Sequence, residues 1–393
     1  MPPIAARLRR IEESGTVKLT DAVARLRKAG RDVVSLSVGE PDFPSPPEAV
    51  EAAKAALDAG HTKYVSAWGL PELREEVAAR SREGGIPCAA ENVLVTPAKQ
   101  AILYAILGLV EDGDEVILPD PAWVSYAPLV VLAGGRVVRV PTRMEDGFRL
   151  DPEAVAARVT PRTRMIVLNS PANPTGAVMD AADVRAIADL ARDRDLWVLS
   201  DELYDRIVYE GAPLSPASLP GMAERTLVVN GMSKAHAMTG WRVGWLVAAA
   251  PVLRDLVKLQ QHSLTHAPAF AQRGALAALR AGPAYTRRMV GEFRARRDLV
   301  VEGLRAIPGW TCDRPRGAFY VFARYAHPLL SLAMAERLLE AGVAVTPGIE
   351  FGPAGEGHVR LSYATGRDVL REGLARIRRA TEALPGPTPV HNP

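Results

Sequence analysis

From about residue 92 to residue 249, short apolar runs rich in β-branched residues alternate with longer stretches whose apolar residues recur every three or four positions. Seven of the short runs read as strands: 93–96, 115–119, 137–140, 165–169, 197–200, 226–230 and 243–247. Between them lie amphipathic helices such as the one carrying Val184, Ile187, Ala188 and Ala191. Strands that are apolar throughout are buried on both faces, so the pattern predicts a mainly parallel sheet between two helical layers. After Pro268 it changes to long Ala-, Leu- and Arg-rich helices, with strands expected at 318–323 and His358–Ser362. A second, smaller α+β domain is therefore predicted. The N-terminal stretch carries a helix over 18–29 and a strand over 33–36, and is expected to pack onto the C-terminal part. The fold class is α/β, three layers (α/β/α) plus a small α+β domain. It divides into an N-terminal arm and part of the small domain (1–46), a large domain (47–285) and a small C-terminal domain (286–393), whose Pro-rich end from Leu384 onward reads as a loose tail.

The length of 393 residues suits two or three domains. Apolar residues make up 48% and charged residues 24%, which argues against disorder and collagen-like repeats. No run approaches the ~18 uninterrupted apolar residues of a membrane span, and residues 1–15 carry too many charges for a signal-peptide core. The expectation is a cytoplasmic protein without a membrane partner. Basic and acidic residues nearly balance, 48 against 45, without long blocks of one sign, so nucleic acid is not expected as a partner either. Cys88 and Cys312 are too few for a disulfide framework or a thiolate metal site and neither sits in a CxxC pair, so no metal is expected. Of the 48 basic residues only seven are lysine. A lysine in an unusual place is informative here.

In open α/β sheets, ligands bind beyond the carboxyl ends of the strands. Polar clusters fall there. The 165–169 strand runs into Ser170-Pro171-Ala172-Asn173-Pro174-Thr175-Gly176, a turn-rich loop centred on Asn173. The next strand ends at Ser200-Asp201-Glu202-Leu203-Tyr204, placing Asp201 after a buried apolar stretch, where a carboxylate is paired, hydrogen-bonded or a helix cap. The 226–230 strand leads to Gly231-Met232-Ser233-Lys234, then Met238-Thr239-Gly240-Trp241-Arg242-Val243-Gly244. A lysine at the mouth of a buried strand is poorly solvated, which lowers its pKa and frees its amine for Schiff-base chemistry.

Taken together, Asn-Pro-Thr-Gly, Asp-x-x-Tyr, Ser-Lys and Gly-Trp-Arg-x-Gly resemble the fold-type I, class I aminotransferases that use pyridoxal 5′-phosphate. Three further segments carry the resemblance: Ser37-Val38-Gly39-Glu40-Pro41-Asp42-Phe43; Thr62-Lys63-Tyr64 with Gly69-Leu70-Pro71-Glu72-Leu73-Arg74; and Val359-Arg360-Leu361-Ser362-Tyr363. Within the class the chain looks most like bacterial aspartate/prephenate-type enzymes. The resemblance implies transfer of an amino group from an L-amino acid to a 2-oxo acid, with Lys234 as the Schiff-base lysine and proton carrier. It implies Asp201 on the pyridine nitrogen, Asn173 and Tyr204 on the phenolic oxygen, and Trp123 stacked on the ring. The phosphate falls to the amides of Ala98 and Lys99 at a helix start expected near residue 101, to Ser233 and to Arg242. Tyr64 would reach the phosphate from a second subunit, implying a homodimer with shared sites. Arg360, aided by Gly39, would bind the substrate α-carboxylate, with Asn173 and Trp123 also lining the substrate.

The sequence departs from the family pattern in two places. The phosphate loop Pro97-Ala98-Lys99 is one residue short, which leaves Lys99 facing phosphate, substrate or solvent, and Gly231 stands where many relatives carry a serine that Ser233 would replace. Ser14, Thr16 and Lys99 resemble distal-carboxylate readers of aspartate-specific members; the stretch Gln261–His266 lacks the Arg that other aspartate aminotransferases donate across the dimer, and His262 and His266 are candidate substrate-pocket residues in its place. Aspartate or glutamate is the expected donor, with aromatic or specialised donors open. A β-lyase, cyclase or oxidase sharing the same lysine and aspartate is the rival. A dinucleotide-binding dehydrogenase lacks its GxGxxG signature here, and a DNA-binding regulator lacks room before residue 33 for its extra domain.

Overall fold

The computed structural model describes residues 4–13, 15–382 and 384, apart from the Thr16 side chain; the tail beyond Leu384 lies outside them. All seven strands expected between residues 92 and 249 form, and they make one sheet. Its order is Val93–Val95, Gly244–Val247, Thr226–Gly231, Trp197–Asp201, Thr163–Asn169, Glu115–Asp120 and Arg136–Pro141. Only Gly244–Val247 runs against its neighbours. The mainly parallel order explains why these strands are apolar on both faces: helices cover each side. Ala98–Leu109 covers one face and Ala181–Asp193 the other, the latter through the predicted stripe of Val184, Ile187, Ala188 and Ala191. No helix among the described residues is long and apolar enough to cross a membrane.

Several expected boundaries move, two of them near the site. The helix expected from residue 101 starts at Ala98, directly after Pro97, whose extended conformation caps it. The amides of Ala98 and Lys99 thus sit in the first turn, ahead of the first bonds to Pro97 O, made by Gln100 N and Ala101 N. The strand expected over 318–323 is instead Tyr320–Tyr325, because Ala318 takes a left-handed φ of 54° and its amide bonds Ile207 O across the molecule.

The C-terminal part holds a four-stranded antiparallel sheet of Thr346–Pro347, His358–Ser362, Tyr320–Tyr325 and Trp310–Cys312. The long helix Ala284–Arg305 packs beside it. Val34–Ser35 pairs in parallel with Val343–Ala344, joining the first part of the chain to the last. Ser362 N also donates to Leu36 O at 2.7 Å. This join carries residues 37–43 over the carboxyl ends of the large sheet.

Candidate active site

A cavity of about 300 Å³ opens where those strand ends meet residues 37–39 and the small sheet. Lys234, Asp201, Tyr204, Asn173, Trp123, Ala98, Lys99, Ser233, Arg242, Arg360 and Gly39 all line it.

Lys234 follows the end of Thr226–Gly231, and its Nζ donates a 2.5 Å hydrogen bond to Gly39 O. The Phe319 ring centroid lies 5.9 Å away. Burial, reinforced by the charges of Arg360 and Arg242, outweighs Glu40 and Asp201 and pushes its pKa down to about 8. A fraction of the amine is therefore neutral, and nucleophilic, near neutral pH.

Asp201 closes the Trp197–Asp201 strand and is buried. Its Oδ2 accepts from Tyr126 Oη at 2.6 Å and its Oδ1 from Leu203 N at 3.2 Å. Asn169 Nδ2 holds its backbone carbonyl at 3.0 Å. Among the described residues no basic group pairs with this carboxylate, and burial raises its pKa despite those hydrogen bonds and the charge of Lys234. A cationic nitrogen set beside Asp201 would supply the missing counter-charge.

Arg360 lies in the small sheet opposite Phe322 and Thr346. Nη1 donates to Asn173 Oδ1 at 2.9 Å, and Nη2 to Ser37 O at 2.7 Å and Thr346 Oγ1 at 3.3 Å. The guanidinium lies between the rings of Tyr320 and Phe351, with centroids 4.6 and 4.9 Å away. These bonds engage only part of the guanidinium's five N–H donors, so the group is oriented yet retains capacity for an incoming carboxylate. Tyr204 Oη lies 2.8 Å from Tyr320 Oη, and burial raises the Tyr204 pKa well above its ordinary value. Residue 39 must be small: a Cβ there would sit 2.6 Å from the Tyr320 hydroxyl.

At the other end stand Ala98, Lys99, Ser233 and Arg242. Arg242 is exposed and adopts a left-handed φ of 59°, with Nη1 donating to Thr239 O at 2.7 Å. Gly244 lets the reversed strand close on the helix start, since a Cβ there would lie 3.0 Å from Ala98 N. First-turn amides beside an exposed Arg make an anion seat. Lys99, at the mouth, holds Nζ 5.0 Å from the Trp123 ring centroid; burial and the charge of Arg242 lower its pKa.

Tyr64 does not line the cavity of its own chain; it is 88% exposed and packs edge-on against His266, centroids 5.7 Å apart. The Thr16 side chain and Ser14 lie outside the described residues, while Val17 and Thr20 of the helix Gly15–Lys28 reach the mouth. His262 is exposed beyond the helix Ala250–Gln261 and His266 packs on Tyr64; like Tyr64, neither lines the cavity of its own chain. Tyr126, Tyr320, Ser37 and Thr346 were not expected from sequence. Tyr126 had the best signal, lying three residues after Trp123.

Residues 31–377 match the family model for aminotransferase class I and II. The aspartate/prephenate aminotransferase of Thermus thermophilus is 43% identical over 386 residues, covering 96% of this chain and 99% of that protein. The arginine–pyruvate transaminase of Pseudomonas aeruginosa is 44% identical over 369 residues, covering 93% and 94%. The solved structure of the Thermus thermophilus aspartate aminotransferase with maleate superposes with a TM-score of 0.93 at 43% identity, covering 97% of this chain and all of that one. Fold, lysine-centred cavity and similarity converge: the chain belongs to the class I and II aminotransferases and is an enzyme that moves an amino group between an amino acid and a 2-oxo acid.

Proposed function

We propose that this aminotransferase holds pyridoxal 5′-phosphate in the cavity around Lys234, works as a homodimer with shared sites, and takes aspartate or glutamate as its donor. The observation that carries the reading is one cavity shared by an amine of pKa about 8, a buried carboxylate with no ion-pair partner among the described residues and an Arg with unused donors. The residues fit the cofactor. Asp201 would hold the ring nitrogen, Asn173 and Tyr204 the phenolic oxygen and Trp123 the ring face. Ala98, Lys99, Ser233, Arg242 and the partner subunit's Tyr64 would hold the phosphate. When bound, the cofactor supplies the electron sink and carries the amino group.

The chain's own residues do the rest. Lys234 Nζ, a base near neutral pH, takes the α-proton of the amino acid and returns it. Arg360 and the Gly39 backbone orient the α-carboxylate, fixing which bond at Cα faces Lys234. Tyr126 Oη keeps Asp201 directed at the cavity. Lys99, with Thr16, would read a distal carboxylate. Tyr64, an aromatic left exposed on its own chain, favours the dimer. Residues 47–285 would be the cofactor-binding domain, and 1–46 with 286–393 the small one, in keeping with the pairing of Val34–Ser35 with Val343–Ala344.

The 44% identity with an arginine–pyruvate transaminase favours a second reading, a basic donor. Both are tested by incubating the cofactor-loaded protein with single L-amino acids and 2-oxoglutarate or pyruvate, and assaying the new 2-oxo acid. Oxaloacetate from aspartate supports the acidic reading; product only from arginine or aromatic donors replaces it. Ammonia release without a new amino acid would overturn transfer in favour of a lyase or oxidase.

A further inference from the structure

A second cavity of about 400 Å³ lies on the opposite face of the same strands. Successive residues of a strand point to opposite faces. Asn169 and Asp201 line the first cavity, while their neighbours Leu168 and Ser200 line the second. Glu202, next to Asp201, joins Ser200: its Oε1 accepts from Ser200 Oγ at 2.9 Å and Ser215 Oγ at 2.6 Å. The floor is apolar, formed by Leu168, Val184, Val228, Trp245 and Val247.

Among the described residues no basic group pairs with Glu202, and burial pushes its pKa up to about 7. The nearby arginines are engaged elsewhere. Arg80 Nε binds Glu76 at 2.9 Å, and its Nη2 donates to Leu279 O. Arg206 Nε lies 3.5 Å from Asp205, which also hydrogen-bonds Asn230. On the same wall stands His236, enclosed, with an Nδ1 that has no hydrogen-bond partner. Burial and the charges of Arg80 and Arg206 hold its pKa down to about 4, so the ring is neutral. An anion would meet Glu202. Among the described residues no three His, Cys, Asp or Glu groups converge for a metal ion. What remains is a roomy cavity with an apolar floor, an acid without a basic partner and an imidazole nitrogen without a hydrogen bond.

We propose that this cavity binds an organic cation, an amidinium, guanidinium or ammonium group on a small apolar body, with Glu202 as its counter-ion and His236 Nδ1 as a second acceptor. The N–H donors of such a group replace the missing charge, and its apolar body covers the Val228 and Trp245 floor. The site is separate from the amino-transfer site and stands or falls independently of donor identity.

The test is calorimetric titration of the cofactor-loaded protein with benzamidine, an amidinium on an aromatic ring with no carboxylate for Arg360. One benzamidine should bind per chain, undisturbed by saturating 2-oxoglutarate. Glu202→Gln should weaken binding about ten-fold or more, the loss expected for a hydrogen-bonded charge partner, and His236→Phe should weaken it by filling the space. Both variants should keep the parent rate of amino transfer, which reports their folding independently of benzamidine. Absence of saturable binding, displacement by 2-oxoglutarate, or indifference to whichever of the two variants folds would each overturn the proposal.

Discussion

Asp201 and Glu202 are adjacent acids at the end of one strand, and they serve different chambers. Asp201 faces the lysine-lined cavity and is held by a phenol and a backbone amide. Glu202 faces the other side and is held by two serine hydroxyls. Neither has a cation among the described residues, and burial raises both pKa values. The difference lies in the surroundings. Asp201 shares its cavity with an amine, an anion seat and a carboxylate-ready Arg, groups that suit a reaction. Glu202 shares its own with an apolar floor, a neutral imidazole and two arginines already paired with other acids, groups that suit binding without chemistry. A buried carboxylate of raised pKa therefore does not by itself mark a catalytic centre; its neighbours do.

The sharpest break in this comparison is at Lys234. Lys234→Ala should lower amino transfer by roughly 10⁴-fold or more, since nucleophile and proton carrier go together; a residual rate within ten-fold of the parent, measured as 2-oxo acid formed, would sink the assignment. In the protein stripped of cofactor, covalent capture of added pyridoxal phosphate should rise with pH around a midpoint near 8. The sign follows from the depressed pKa: the amine loses its proton, and becomes reactive, well below the usual lysine range. A midpoint above 10 would contradict it.

The two acids come next. Asp201→Asn should cost roughly 10²-fold or more in kcat, the scale on which a preorganised charge acts in catalysis, whereas Glu202→Gln should leave kcat within about two-fold. Equal losses would erase the distinction between the chambers. Arg360→Ala should raise KM for donor and acceptor alike, by roughly 10- to 100-fold, as expected for charge-assisted bonds to a carboxylate; unchanged KM for both would remove it from the site.

The smallest effect is on stability. A carboxyl whose folded pKa is raised is penalised once ionised: the penalty is absent below its unfolded value near 4.5, grows with pH and is complete above about 7. Glu202→Gln should thus be more stable than the parent at pH 8, by about 1 to 3 kcal/mol, and the advantage should shrink towards pH 4.5. Urea unfolding at both pH values checks this, and a constant difference would contradict it.

Much of this was legible in the sequence. The seven strands of the large sheet could be read because burial on both faces demands unbroken apolar runs. Lys234 stood out because lysine is rare in this chain. The supporting contacts were not legible, because their partners are far apart in the chain: Tyr126 and Asp201 by 75 residues, Asn173 and Arg360 by 187, Ser37 and Arg360 by 323. Nor could the sequence show that His262 and His266 lie outside the cavity of their own chain, since that depends on how distant segments pack.

Local pattern alone determined the alternation of strands and helices, the residues just past the strand ends and the family those motifs resemble, because periodicity and turn chemistry act over a few neighbouring residues. Only the tertiary structure decided how Arg360 is aimed, why a side chain at residue 39 would crowd Tyr320, and that Asp201 and Glu202 face separate chambers. Those outcomes depend on which distant segments meet across a sheet, and on the low dielectric that forms when they close over a charge.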